Sequence, residues 1–185
     1  MVASAYDGVY NGIMLIGSND KDFKLKTPDG TSGTINFNIE LYTDGTNKQY
    51  CLRLAFDESK RFFMIPTHAI VLMKTKTGKV IELRALYTYD DPNSDKVGYA
   101  YFPISEEQLD IICSKDSIVK FRIQTIVGVD HRSTYAENES VWKTDTFGRS
   151  AVGYSIKRMV EYVDWQWDLK KDSFASSQKD IRADF

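Results

Sequence analysis

Apolar and polar residues alternate with a period of two through much of this chain, then switch to a period of three and four near its C-terminus. Ile35, Phe37, Ile39 and Leu41 alternate with Asn36, Asn38 and Glu40. After Asp44-Gly45, Tyr50, Leu52, Leu54 and Phe56 alternate with Cys51, Arg53 and Ala55. Side chains of a strand point to opposite faces in turn, so this pattern predicts an antiparallel hairpin with one buried face. A second hairpin is predicted over Ala69–Lys74 and Val80–Tyr87, joined through Thr77-Gly78. Its first strand is apolar on both faces, which suits a central position or one beneath a helix.

Shorter segments fill the remainder. Val9–Ile16 reads as one apolar strand ending at the turn cluster Gly17-Ser18-Asn19-Asp20, and Phe23–Lys26 as another ending at Pro28-Asp29-Gly30. Phe62 and Phe63 lead to Pro66, Asp90–Asp95 reads as a loop, and Tyr99–Phe102 as a strand. Ser105-Glu106-Glu107-Gln108 is a capping box, which predicts a short helix over Glu106–Ile112 burying Leu109 and Ile112. Ile118–Val127 is a further strand, with Val119, Phe121 and Ile123 inward and Lys120, Arg122 and Gln124 outward.

Residues 129–149 read as a long polar loop. Beyond it, Val152, Ile156, Met159, Val160, Val163 and Trp167 fall on one face of a helix spanning 150–171, and Lys170-Lys171 suit the negative end of its dipole. Residues 172–185 are expected to fray. The sum is a single, mainly β (α+β) globular domain with a β-rich core over 6–128. The expected fold is an antiparallel β-sandwich or open barrel, with one short internal helix and a C-terminal amphipathic helix covering a face or an open end.

The stretch Tyr101-Phe102-Pro103-Ile104-Ser105-Glu106-Glu107-Gln108-Leu109, followed by Ile118-Val119-Lys120-Phe121-Arg122-Ile123 and a glycine-containing terminal helix, resembles small uncharacterised β-rich bacterial proteins, many of them exported. The resemblance implies a fold and supplies no catalytic residues.

Composition narrows the classes of function. With 185 residues, 42% of them hydrophobic and 27% charged, the chain can bury a core without disulfides or metals. The net charge of −2 lacks the basic excess that phosphate neutralisation needs, so no nucleic-acid partner is expected. No apolar run approaches the roughly 20 residues of a membrane-spanning helix. Cys51 and Cys113 are expected as buried free thiols, with a disulfide between them left open. No leader pattern precedes Ala3-Ser4-Ala5, a weak cleavage-like motif. The expected compartment is therefore cytoplasmic if Met1 is the native start, and periplasmic or cell-surface if a leader once preceded it.

No nucleophile elbow, phosphate-cradling loop or zinc spacing is present in the sequence, so no cofactor, metal or catalytic set is expected. His68 is read as structural and His131 as a loop histidine. Asp90–Asp95 lacks the EF-hand glycine and glutamate positions, and Asn138-Glu139-Ser140 fits a glycosylation sequon. One inference is sharper. At 100° per residue, Tyr154, Tyr162, Trp165 and Leu169 lie on the far side of the terminal helix from its core stripe. A helix apolar on both sides is either covered twice or meets a partner.

Three functions follow as expectations. The first is a non-enzymatic binding or protein-interaction module, with self-association through that helix. The second is a carbohydrate-binding module stacking sugars on Tyr135, Trp142 or Trp165, two exposed aromatics lining one groove beside polar groups. The third is an unfamiliar hydrolase in which Asp130, His131 and Glu137 converge.

Overall fold

The computed structural model describes residues 6–57, 65–90, 97–114, 118–127, 132–138 and 151–183. In chain order its elements are β1 (Tyr6–Tyr10), β2 (Ile13–Gly17), β3 (Lys21–Lys26), β4 (Ser32–Thr43), β5 (Lys48–Asp57), β6 (Ile70–Thr75), β7 (Val80–Arg84), β8 (Tyr87–Asp90), β9 (Val97–Ile104), α1 (Glu106–Cys113), β10 (Ile118–Val127), β11 (Arg132–Asn138) and α2 (Ala151–Ala183). The strands form one antiparallel sheet in the order β7-β6-β10-β11-β3-β4-β5-β9-β8, with the hairpin β1–β2 joined to β4 through β2.

The sheet is not closed into a barrel. It nevertheless curls strongly, because its two ends belong to one stretch of chain. β7 and β8 are separated only by Ala85-Leu86, and the Leu86 N–H donates to Tyr101 O of β9 (2.8 Å). Curling gathers the inner faces into one core. Phe121 of β10, Leu52 and Leu54 of β5 and Ile156 of α2 line a common internal space, although β11, β3 and β4 stand between β10 and β5 in the sheet.

Strand β4 organises the site described below. One edge pairs along its length with β5, from Asn36↔Ala55 to Thr43↔Lys48. The other edge is shared end to end. β3 occupies Ser32–Phe37 and β2 occupies Glu40–Thr43. At the junction the Ser18 N–H donates to Ile39 O (2.9 Å), and the Ile39 N–H donates to Ser18 Oγ (3.1 Å). The chain thus leaves β2, bends over residues 18–20 and re-enters the sheet as β3.

Helix α1 carries the expected capping box. Gln108 N–H donates to Ser105 Oγ (3.2 Å) and Ser105 N–H donates to Gln108 Oε1 (2.9 Å). Ile112 is buried and Leu109 packs at the core margin.

Five expectations change. The strand expected over Val80–Tyr87 ends at Arg84, and Tyr87 opens β8 at the other end of the sheet order. Val9–Ile16 is two strands, because Asn11 (φ 49°) and Gly12 (φ 76°) form a left-handed two-residue turn of the kind that matches strand twist. Residues 132–138, expected within the polar loop, are strand β11, whose Ala136 and Glu137 are buried against β10. α2 runs to Ala183 where fraying was expected after Asp172. Phe174 lies seven residues beyond Trp167 on the same stripe, is buried, and meets the Trp167 ring edge-on at 5.8 Å. Finally, the face of β4 expected to be solvated is covered at its centre, where Asn38 is 0% and Glu40 2% exposed. A carboxylate tolerates that burial only with partners. Tyr42 Oη donates to Glu40 Oε2 (2.5 Å), and Arg53 Nε lies 3.6 Å from Oε1 while its guanidinium sits 4.1 Å over the Tyr99 ring.

Candidate functional site

Two side chains of β5 help to set where α2 lies. Ile156, Met159, Val160, Val163, Trp167 and Phe174 are buried along its inner face, and the helix contacts β4, β2 and α1. At its flank Asp164 accepts hydrogen bonds from Lys48 Nζ (2.7 Å) and Tyr50 Oη (2.5 Å). Burial first, and the neighbouring Asp164 carboxylate second, push the Tyr50 phenol well above its usual range, so it stays a donor.

With the inner stripe so anchored, the opposite stripe is left outward. Trp165 is 54% exposed, Leu169 63% and Tyr154 41%. Tyr162 is half-buried, its ring 5.9 Å from that of Trp165. These four sequence-predicted residues therefore share one face of α2, spread over roughly 22 Å of helix at 1.5 Å per residue.

Beside the N-terminal half of this stripe lies an open groove of about 350 Å³ between α2 and the bend after β2. Tyr154, Ser155, Arg158 and Tyr162 line one wall, and Ser18, Asn19 and Lys21 the other. Strand alternation brings Lys21 to this side. Lys21 pairs in register with the core residue Phe37, whereas Asp22 pairs with Asn36 on the opposite face and accepts a hydrogen bond from Asn36 Nδ2. Asp20 is likewise drawn off, toward Arg53 (3.6 Å). Among the described residues no carboxylate lines the groove, and Arg158 shares the exposed Glu161 with Lys157 (3.1 and 3.9 Å).

A second cleft, of about 510 Å³, separates the β4–β5 turn from the end of α2. Lys171, Lys179, Asp44 and Asp172 all line it, so the charges among its described residues balance. Amide hydrogens of Asn47 and Thr46, with the Asn47 side chain, hold the Asp44 carboxyl down to about 2. That carboxylate is committed to shaping the turn.

The remaining expected residues lie elsewhere. Tyr135 is 38% exposed on β11, its ring 4.1 Å beneath the Arg122 guanidinium. It pairs with Gln124, outward on β10, whereas Phe121 and Ile123 of that strand point into the core where α2 packs. The sheet therefore separates Tyr135 from the α2 aromatics. Trp142, Asp130 and His131 fall outside the described residues. Glu137 is clamped by Lys120 Nζ (2.7 Å) and by Arg122. Burial raises its pKa, but the hydrogen bonds from Lys120 and Arg122 outweigh that and hold the carboxyl below its usual range. A carboxylate so held is a poor proton donor.

Among the described residues no group of three or more His, Cys, Asp or Glu side chains could hold a metal ion, and no helix is long and apolar enough to cross a membrane. Cys51 and Cys113 are free, Cys51 buried and Cys113 half-buried. Burial pushes their thiols up to about 12 and about 11, far from the reactive thiolate range.

Sequence reading singled out the rings of the groove but missed Lys21, Asn19 and Arg158. The turn cluster at Gly17–Asp20 was a visible signal, yet its distance from α2 in space was not. Protein-family models, curated proteins and solved structures contain no match to this chain.

Proposed function

We propose that this protein is a binding module whose working surface is the outward face of α2, and that the groove beside it takes a saccharide. The observation that carries this reading is the convergence of Tyr154 and Tyr162 with Asn19, Ser155, Lys21 and Arg158 in one open groove. Sugars present apolar ring faces and a rim of hydroxyls. A site for them needs flat aromatic surface beside hydrogen-bonding groups, and tyrosine supplies area with few rotamers to freeze. The volume lies within the range of about 300–1,000 Å³ of small-ligand sites.

The test is a glycan array probed with labelled protein. Wild type should be retained on a restricted set of glycans, and Tyr154→Ala and Tyr162→Ala should lose that retention while melting near the wild-type temperature. Uniform absence of retention, or retention indifferent to both tyrosines, sinks the reading.

A second reading concerns Trp165 and Leu169, which lie on the same face but do not line the groove. Their exposure supports self-association through the distal half of the stripe, since contiguous exposed apolar surface is a common mark of interfaces. Light scattering after size exclusion should show a mass above that of a monomer, reduced by Trp165→Ala. A monomer in both cases removes it.

A further inference from the structure

We infer that the ligand of the α2 groove is an acidic sugar, its ring on the tyrosines and its carboxylate held between Lys21 and Arg158; this rests on the saccharide reading above and adds the charge. The chain as a whole is slightly acidic, at net −2, yet among the described residues the groove lining carries two cations and no carboxylate.

That local excess is built by the fold, because Asp20, Asp22 and Asp164 are engaged elsewhere. Asp20 faces Arg53 and Asp22 accepts from Asn36 on the other side of the sheet. Asp164 accepts from Lys48 and Tyr50 at the opposite flank of α2. Glu161 pairs with Arg158 but is shared with Lys157. Glu161 accepts a hydrogen bond from Arg158 Nη1 (3.1 Å), which leaves the other edge of the guanidinium fork to meet a carboxylate in bidentate fashion.

The neutral donors fit the rest of such a ligand. Asn19 and Ser155 offer an amide and a hydroxyl at the rim, suited to ring hydroxyls. A cation pair in an open, partly solvated groove gives selectivity for charge and a marked salt dependence, since exposed charges are screened by added ions.

The experiment titrates full-length protein with a panel of uronate trisaccharides, each matched to its neutral counterpart, following amide and side-chain resonances by NMR. At least one uronate should shift Tyr154 and Tyr162 and bind about tenfold or more tightly than its neutral match, the size of effect expected for charge-assisted hydrogen bonds. Lys21→Ala and Arg158→Ala should each erase most of that difference, and Lys21→Arg should restore it. Both positions are exposed, and unchanged melting of the variants verifies the fold.

Equal binding of acidic and neutral sugars at the tyrosines overturns the charge inference and leaves the saccharide reading intact. Displacement of a bound uronate by an equal concentration of inorganic phosphate overturns the sugar half, because the site then recognises an anion alone. Shifts confined to residues outside the groove overturn the inference and the reading together.

Discussion

The two faces of α2 are made from the same kinds of residue and meet opposite fates. Inward, Ile156, Met159, Val163, Trp167 and Phe174 are buried in the core; outward, Tyr154, Trp165 and Leu169 stand in solvent. Trp165 and Trp167 are two residues apart and differ from 54% to 7% exposed. Two residues on a helix are 200° apart, so angular position and not side-chain type decides which ring is core. The lesson is that the inner aromatics stabilise the fold, while the outer ones contribute little to it and need another explanation. Contiguous exposed apolar surface is a common mark of a binding face, which is the reading proposed above.

Substitutions can break this contrast or sharpen it. The largest effect is expected at Trp167→Ala, which empties core volume beneath α2 and should cost about 3–5 kcal/mol in urea unfolding. A loss under about 1 kcal/mol would mean the inner face is not the anchor. Next comes Tyr50→Phe, which removes the hydroxyl given to Asp164 (2.5 Å) and should cost about 1.5–3 kcal/mol. Its companion Asp164→Asn should cost less, since an amide oxygen still accepts.

A smaller effect tests whether outward-facing charge on the sheet stabilises more than outward-facing rings on the helix. The folded Glu137 carboxyl is held below its ordinary 4.5 by Lys120 and Arg122, against the opposing push of burial. A depressed carboxyl binds fewer protons when folded, so its stabilisation is present above the unfolded pKa and is lost as pH falls through the folded one. Glu137→Gln should therefore be least stable relative to wild type near neutral pH. The gap should close on acidification below about pH 4, followed by thermal melts across the range. A gap that stays constant with pH would place the stabilisation in packing instead. The smallest change is expected at Trp165→Ala, within about 0.5 kcal/mol of wild type. A large destabilisation there would show the outer ring to be part of the core after all, and the proposed surface would fall.

Strand positions were largely legible in the sequence, because alternation between β4 and β5 and the capping box of α1 are local patterns with local causes. Other features were written there but read too coarsely. Asn11-Gly12 is a strong hairpin signal inside an apolar run, and Phe174 continues the inner stripe of α2 one heptad past Trp167. The buried Glu40 was not legible. Its partners Arg53, on the neighbouring strand, and Tyr42, two residues along, show as polar positions of one sheet face, and nothing in alternation says that this face is covered.

By itself the sequence determined that the chain builds an antiparallel sheet and ends in a helix with a core stripe and an aromatic back. Period and capping act over a few residues, and the chain carries them wherever it folds. Only the tertiary structure decided that β2 and β3 share one edge of β4, that the bend between them lies beside α2, and that Lys21 and Arg158 line one groove while Asp20 and Asp22 are drawn to other partners. That arrangement depends on pairing between strands and on how a curled sheet seats a helix. Those are distances between residues far apart in the chain, and no local pattern encodes them.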